Sequence, residues 1–111
     1  MPTKPSATLE NAVLCVQLET CSIRRITNKL TGDTYAVSGD AFAVETDAFR
    51  CRQADLEQVR WTTGPEMIHA FWEGEKMTVE VVYQLRPSHH FFQKHVALTF
   101  TRDVALRCII V

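Results

Sequence analysis

Apolar and polar residues alternate along most of the chain, most cleanly from Met77 to Leu85. Met77, Val79, Val81, Tyr83 and Leu85 share one parity, while Thr78, Glu80, Gln84 and Arg86 share the other, broken only by Val82. Successive side chains of a strand point to opposite faces, so this pattern predicts a strand with one face buried. Phe92, Val96, Leu98 and Phe100 repeat it, opposed by Gln93, His95, Thr99 and Thr101. The intervening Arg86-Pro87-Ser88-His89-His90 contains a proline that cannot donate to a sheet, so the two runs read as a long hairpin.

The first half reads similarly. Ala12, Leu14, Val16 and Leu18 form one face of an opening strand, and Glu19-Thr20-Cys21 a short turn. Ser22 to Asn28 is a second strand carrying Ile23 and Ile26. Lys29 to Thr34 is a turn in which Gly32 supplies a backbone conformation with positive φ. Tyr35 to Val37 and Ala41 to Glu45 read as short strands around Ser38-Gly39-Asp40. Leu56 to Thr62 and Met67 to Glu73 flank Thr63-Gly64-Pro65, and Glu73 to Lys76 is another turn. Between Asp47 and Gln58 the apolar positions keep no helical period, so at most one short helical turn is expected there. Val104 to Val111 is a last strand. Short strands separated by regular turns predict an all-β domain, an antiparallel β-sandwich over residues 9–111 behind a flexible segment 1–8.

A chain of 111 residues suits one domain and can bury a core without metal or disulfide. Charge changes the picture by exclusion. Twelve basic and thirteen acidic residues are interspersed, with Arg24-Arg25 the only basic pair, so no stripe for nucleic acid is evident. No apolar run approaches the ~20 residues of a membrane helix, and the start, Met1-Pro2-Thr3-Lys4-Pro5-Ser6, is polar. If Met1 is the native start, the expected location is the cytoplasm. Cys15, Cys21, Cys51 and Cys108 include no CxxC pair. They are expected to be reduced thiols, with Cys15 and Cys108 acting as small buried hydrophobes.

Three stretches together resemble a known group. Leu9 to Leu18 is similar to a "LENA-x-L-x-V" opening strand. Ser22 to Tyr35 is similar to a "G-x-I-x-S-L-x-D-K-x-T-G-x-E-Y" hairpin, with Cys21 standing where glycine is usual. Val82 to Pro87 followed by Phe91 to Leu98 is similar to a "Y-x-L-x-P…F-x-x-K-x-x-x-L" strand pair. The combination resembles the N-terminal β-sandwich region of bacterial glycoside hydrolases of the galactose mutarotase-like supersandwich group. The resemblance implies a carbohydrate-related context. In that group the acid and base residues come from later parts of the chain, so none is carried over here.

Candidate chemistry is sparse. His89, His90 and His95 lack a companion cysteine or carboxylate nearby, and surface loop histidines are the plainer reading, so no metal is expected. Glu73, Glu75, Glu80 and Asp103 are the carboxylates from which a glycosidase pair would be drawn. Glu73 and Glu75 bracket a turn, where charge is expected anyway. Trp61 and Trp72 are the candidate carbohydrate-binding residues, because aromatic faces stack on sugar rings. Core packing is the competing role, and at least one of the two is expected to take it. No cofactor motif is present; the four glycines stand singly in turns.

The expected function is therefore a non-catalytic structural or interaction domain related to carbohydrate-active enzymes. The alternatives are a carbohydrate-binding module or a fragment of a hydrolase or mutarotase-like enzyme. Val104 to Val111 is apolar on both faces apart from Arg107. Such a strand is normally covered on both sides. A homo-oligomer, or a continuation of the same chain, is expected to cover it.

Overall fold

A computed structural model describes residues 6–19 and 22–111. Within them the fold is all-β, with eleven strands in three antiparallel sheets and no α-helix. The first sheet runs in chain order: β1 (Ser6–Glu10), β2 (Leu14–Glu19), β3 (Ser22–Asn28) and β4 (Thr34–Ala36). A second holds β5 (Ala43–Thr46) and β6 (Arg50–Arg52) with the distant β11 (Leu106–Ile110), in the order β11-β5-β6. The third is a meander of β7 (Glu57–Thr63), β8 (Met67–Glu73), β9 (Met77–Gln84) and β10 (Gln93–Phe100). One 3-10 turn, Gln53–Asp55, falls between Asp47 and Gln58, where the sequence allows at most one short helical turn.

The alternating runs become the meander as read. Ile68, Ala70 and Trp72 of β8 and Met77, Val79, Val81 and Tyr83 of β9 are all buried. They meet Leu9, Val16, Leu18 and Ile23 of the first sheet and Phe42, Val44 and Cys51 around β5 and β6 in one apolar cluster. Burying a large aliphatic side chain contributes ~1.5–3 kcal/mol, so this cluster is the main stabilising element.

The chain start departs from the reading. Of the expected flexible segment 1–8, residues 1–5 lie outside the described residues, whereas Ser6 to Thr8 belong to β1, which pairs with β2 in the register Ala7↔Leu18 and Leu9↔Val16; Ala12, expected in the opening strand, lies in the turn between them. Asn11 makes the turn between them. Its Oδ1 accepts hydrogen bonds from the Val13 and Leu14 N–H groups, each at 2.8 Å. Its Nδ2 donates to the carbonyls of Arg86 and His89, also at 2.8 Å, tying this corner to the β9–β10 connection. Leu9, fully buried, fixes the register from the apolar side.

Two bulges reconcile same-face spacings of three with strand geometry. In β3 the register shift opposite Gln17 and Leu18 leaves Arg24 as the extra residue, so Ile23 and Ile26 face Leu18 and Val16. In β7 the extra residue is Val59, between Gln58 opposite Trp72 and Arg60 opposite Phe71.

Three further readings meet the structure here. Gly32 has φ 81°, the left-handed conformation expected of it. Cys15, Cys51 and Cys108 are free thiols, but Cys15 is only half-buried and Cys108 is exposed rather than buried, because β11 lies at a sheet edge. Cys21 and the Glu19-Thr20-Cys21 turn fall at or beyond the limit of the described residues. Burial, followed by the Asp55 charge, pushes the Cys51 thiol up from its ordinary pKa, which disfavours the reactive thiolate.

A polar junction sits among these sheets. Asp40, in the loop that follows Gly39 (φ 77°), accepts a 2.6 Å bond from the Ile23 N–H and a 2.7 Å bond from the Tyr83 hydroxyl. Its other oxygen takes a 2.7 Å bond from Lys94 Nζ. The pair is well enclosed, with side-chain exposure of 14% for Lys94 and 9% for Asp40. Burial works against the Asp40 charge, but the Ile23, Lys94 and Tyr83 hydrogen bonds and the Lys94 charge outweigh it. The carboxyl is held below its usual pKa.

Candidate functional site

The inner faces of β7–β10 are committed to the core, so any chemistry of this sheet lies on its outer face. Alternation and the strand registers place the residues there in rows. Ala97, Glu80, Phe71 and Arg60 form one row across the four strands, and Thr99, Thr78, Glu73 and Glu57 form the next. A groove of about 490 Å³ crosses these rows, lined by Val59, Arg60, Phe71, Glu73, Glu80 and Thr99 among others. That is within the ~300–1,000 Å³ of small-molecule sites. The β7 bulge shapes one wall: the extra residue puts both Val59 and Arg60 beside the groove.

The groove's side chains are ordered by one another. The Arg60 guanidinium lies over the Phe71 ring, 4.1 Å from its centroid. The His69 ring packs against Phe71 with centroids 4.6 Å apart. His69 Nε2 and Glu80 Oε1 are 2.5 Å apart, a charge-assisted bond when the imidazole is protonated. Glu73 lies opposite Thr78 on the neighbouring strand, two residues from Glu80. Diagonal neighbours of that kind lie ~7–8 Å apart, with their Cβ atoms somewhat closer. The groove thus combines two carboxylates, an arginine, threonine hydroxyls and an aromatic ring. Such a set accepts and donates hydrogen bonds to a ligand rich in hydroxyl groups.

The tryptophans singled out from the sequence lie on the opposite face. Trp72 is 4% exposed and meets Phe42 edge-on with centroids 5.3 Å apart. Its ring is core, the role expected of at least one tryptophan, and it has no free face for a sugar. Trp61 is half-buried and packs against the same cluster. It pairs with Ala70, and Trp72 pairs with Gln58, so the two are staggered along the hairpin instead of forming one exposed platform.

The remaining candidates scatter. His89 stacks on Phe91 in the β9–β10 connection, centroids 4.3 Å apart. His95 is on the outer face of β10, opposite Val82. Among the described residues no three histidine, cysteine or carboxylate side chains gather as a metal site. Of the four carboxylates read as a possible pair, Glu73 and Glu80 line the groove, whereas Glu75 lines a separate depression beside Lys76 and Leu56. Sequence reasoning passed over Arg60 and Phe71. The signal was there in the β8 alternation, which sends His69, Phe71 and Glu73 opposite to Ile68, Ala70 and Trp72.

No known protein family, curated protein or solved structure matches this chain. Among the described residues no helix is long and apolar enough to cross a membrane.

Proposed function

We propose that this chain is a non-catalytic antiparallel β-sandwich module related to carbohydrate-active enzymes, and that it works by binding. The supersandwich resemblance of Leu9 to Leu18, Ser22 to Tyr35 and Val82 to Leu98 supports the relationship. A single apolar cluster shared by all three sheets supports the layered packing. The outer groove of β7–β10 carries the binding reading, with a short saccharide as its ligand. Vicinal hydroxyls would donate to Glu73 and Glu80 and accept from Arg60, held over the Phe71 ring, while Ala97 would receive the apolar face of a sugar ring.

Calorimetric titration with a panel of neutral oligosaccharides tests this. At least one sugar should bind, and Arg60→Ala or Glu73→Gln should weaken it about tenfold, the ~1.4 kcal/mol of a hydrogen bond to a charged group. Both side chains are on the surface, so the unfolding midpoint should stay within the usual ~0.5 kcal/mol for such sites. Absence of heat across the panel would dismiss the saccharide ligand.

The shared face of Glu73 and Glu80 favours a second reading, a glycosidase fragment with this carboxylate pair. Turnover of aryl glycosides separates the two. None is expected, and a rate lost on Glu73→Gln or Glu80→Gln would favour the enzyme.

A further inference from the structure

We propose that the free edge of β11 pairs with the same edge of a second copy of this chain, antiparallel and centred on Ile109. Among the described residues β11 is hydrogen-bonded to β5 alone, which leaves the donors and acceptors of its other edge without a strand partner. Leu106, Ile109, Ile110 and Val111 are all exposed, from 40% at Ile109 to 61% at Val111. Edge strands are normally blunted by lysine, proline or a bulge. The one such device here is the register shift at Arg107, and it leaves Cys108-Ile109-Ile110 regular and without a charged side chain.

The side chains of this stretch select a copy of itself as the occupant. Pairing with β5 puts Ile109 on the core side, beside buried Val44, and Cys108 and Ile110 on the outer side, beside Glu45 and Ala43. A two-fold axis at Ile109 sets each Ile109 against the other on the core side. On the outer side it sets each Cys108 against Ile110 of the second copy, twice. Each outer contact matches a small side chain with a large one. Centring on Cys108 would run the pairing through the bulge and bring Arg107 against Ile109. In an antiparallel pair, a slip of one residue sends every apolar side chain to the wrong face. The match is self-complementary, as a two-fold interface requires, and yields a six-stranded sheet β6-β5-β11-β11-β5-β6. This surface is independent of the saccharide groove.

Sedimentation of the full chain at micromolar concentration should give twice the 12.6 kDa chain mass. Ile110→Lys should return it to monomer while its far-UV circular dichroism stays that of the folded chain, and the wild-type unfolding midpoint, unlike the variant's, should rise with protein concentration. Cross-linking reads the register without depending on that variant. Directly opposed strand residues have Cα atoms ~4.5–5.5 Å apart, within disulfide reach. In a Cys108→Ser background, Ile109→Cys should therefore give a covalent dimer under mild oxidation, and Leu106→Cys should not. A monomer mass for the unmodified chain, or equal cross-linking at 106 and 109, would overturn the proposal.

Discussion

Trp72→Ala is expected to destabilise the protein by about 3–5 kcal/mol, the range for removing a buried aromatic side chain. Domains of this size have ~5–15 kcal/mol in total, so the variant should be near the limit of folding. The cost has two sources. The indole leaves a cavity where β8 packs against Phe42, the residue before β5, and it takes with it the edge-on ring contact at 5.3 Å. Chain connectivity offers little relief, because Ile68 and Ala70 on the same strand are already fully buried and cannot move in to fill the space. Trp61→Ala is the internal control. Its half-buried ring on the edge strand β7 should cost only about 1–2 kcal/mol. Urea unfolding monitored by circular dichroism measures both. An unchanged midpoint for Trp72→Ala would contradict the placement of this ring in the core.

Asp40→Asn is expected to cost about 3 kcal/mol at neutral pH, within the range for stranding one partner of an enclosed ion pair. Lys94 would keep its charge at 14% side-chain exposure without a counter-charge, and the Tyr83 hydroxyl would lose an anionic acceptor. The double variant Asp40→Asn, Lys94→Met should recover most of the loss, since replacing a whole buried pair by apolar volume is often neutral. The wild type should also show this group in its pH dependence. The folded-state pKa of Asp40 lies below its ordinary value. Its contribution is therefore complete above the unfolded carboxylate value of ~3.9 and is lost as pH falls through the lower folded value. Stability measured from pH 6 downward should fall less steeply in that acid range for Asp40→Asn than for the wild type. Identical slopes would show that the Asp40 carboxyl has no coupling to folding.

Strand identity was legible where the outcome depends on neighbours in sequence. The Met77 to Leu85 alternation, the β8 span Met67–Glu73, the β3 span Ser22–Asn28 and the turn at Gly32 all follow from side-chain parity and backbone preference. Parity failed where a bulge inserts a residue. Ile23 and Ile26, or Gln58 and Trp61, break period two, and only cross-strand pairing shows why both members of each pair share a face. The start of the chain misled for a related reason. Asn11 reads locally as one more polar residue in a strand, whereas its side chain bonds to Arg86 and His89, more than seventy residues away.

The candidate site divides along the same line. Composition shows carboxylates, an arginine and aromatics but not which of them share a surface. Alternation alone places His69, Phe71 and Glu73 on the side of β8 away from Trp72. Bringing Arg60, Glu80 and Thr99 beside them needed the β7–β8, β8–β9 and β9–β10 registers. The segment around β11 shows the limit most plainly. Its apolar character was evident from Val104 to Val111, yet apolar residues are compatible with a central strand or an edge. Pairing with β5, some sixty residues earlier, makes it an edge and leaves Ile110 exposed. The sequence by itself determined the all-β class, most of the strands and the inward parity of the meander, because these rest on interactions within a few residues. The tertiary structure decided the strand order, the bulges, the Asp40–Lys94 junction and the groove. Each of these depends on which distant segments share hydrogen bonds, and no local preference encodes that choice.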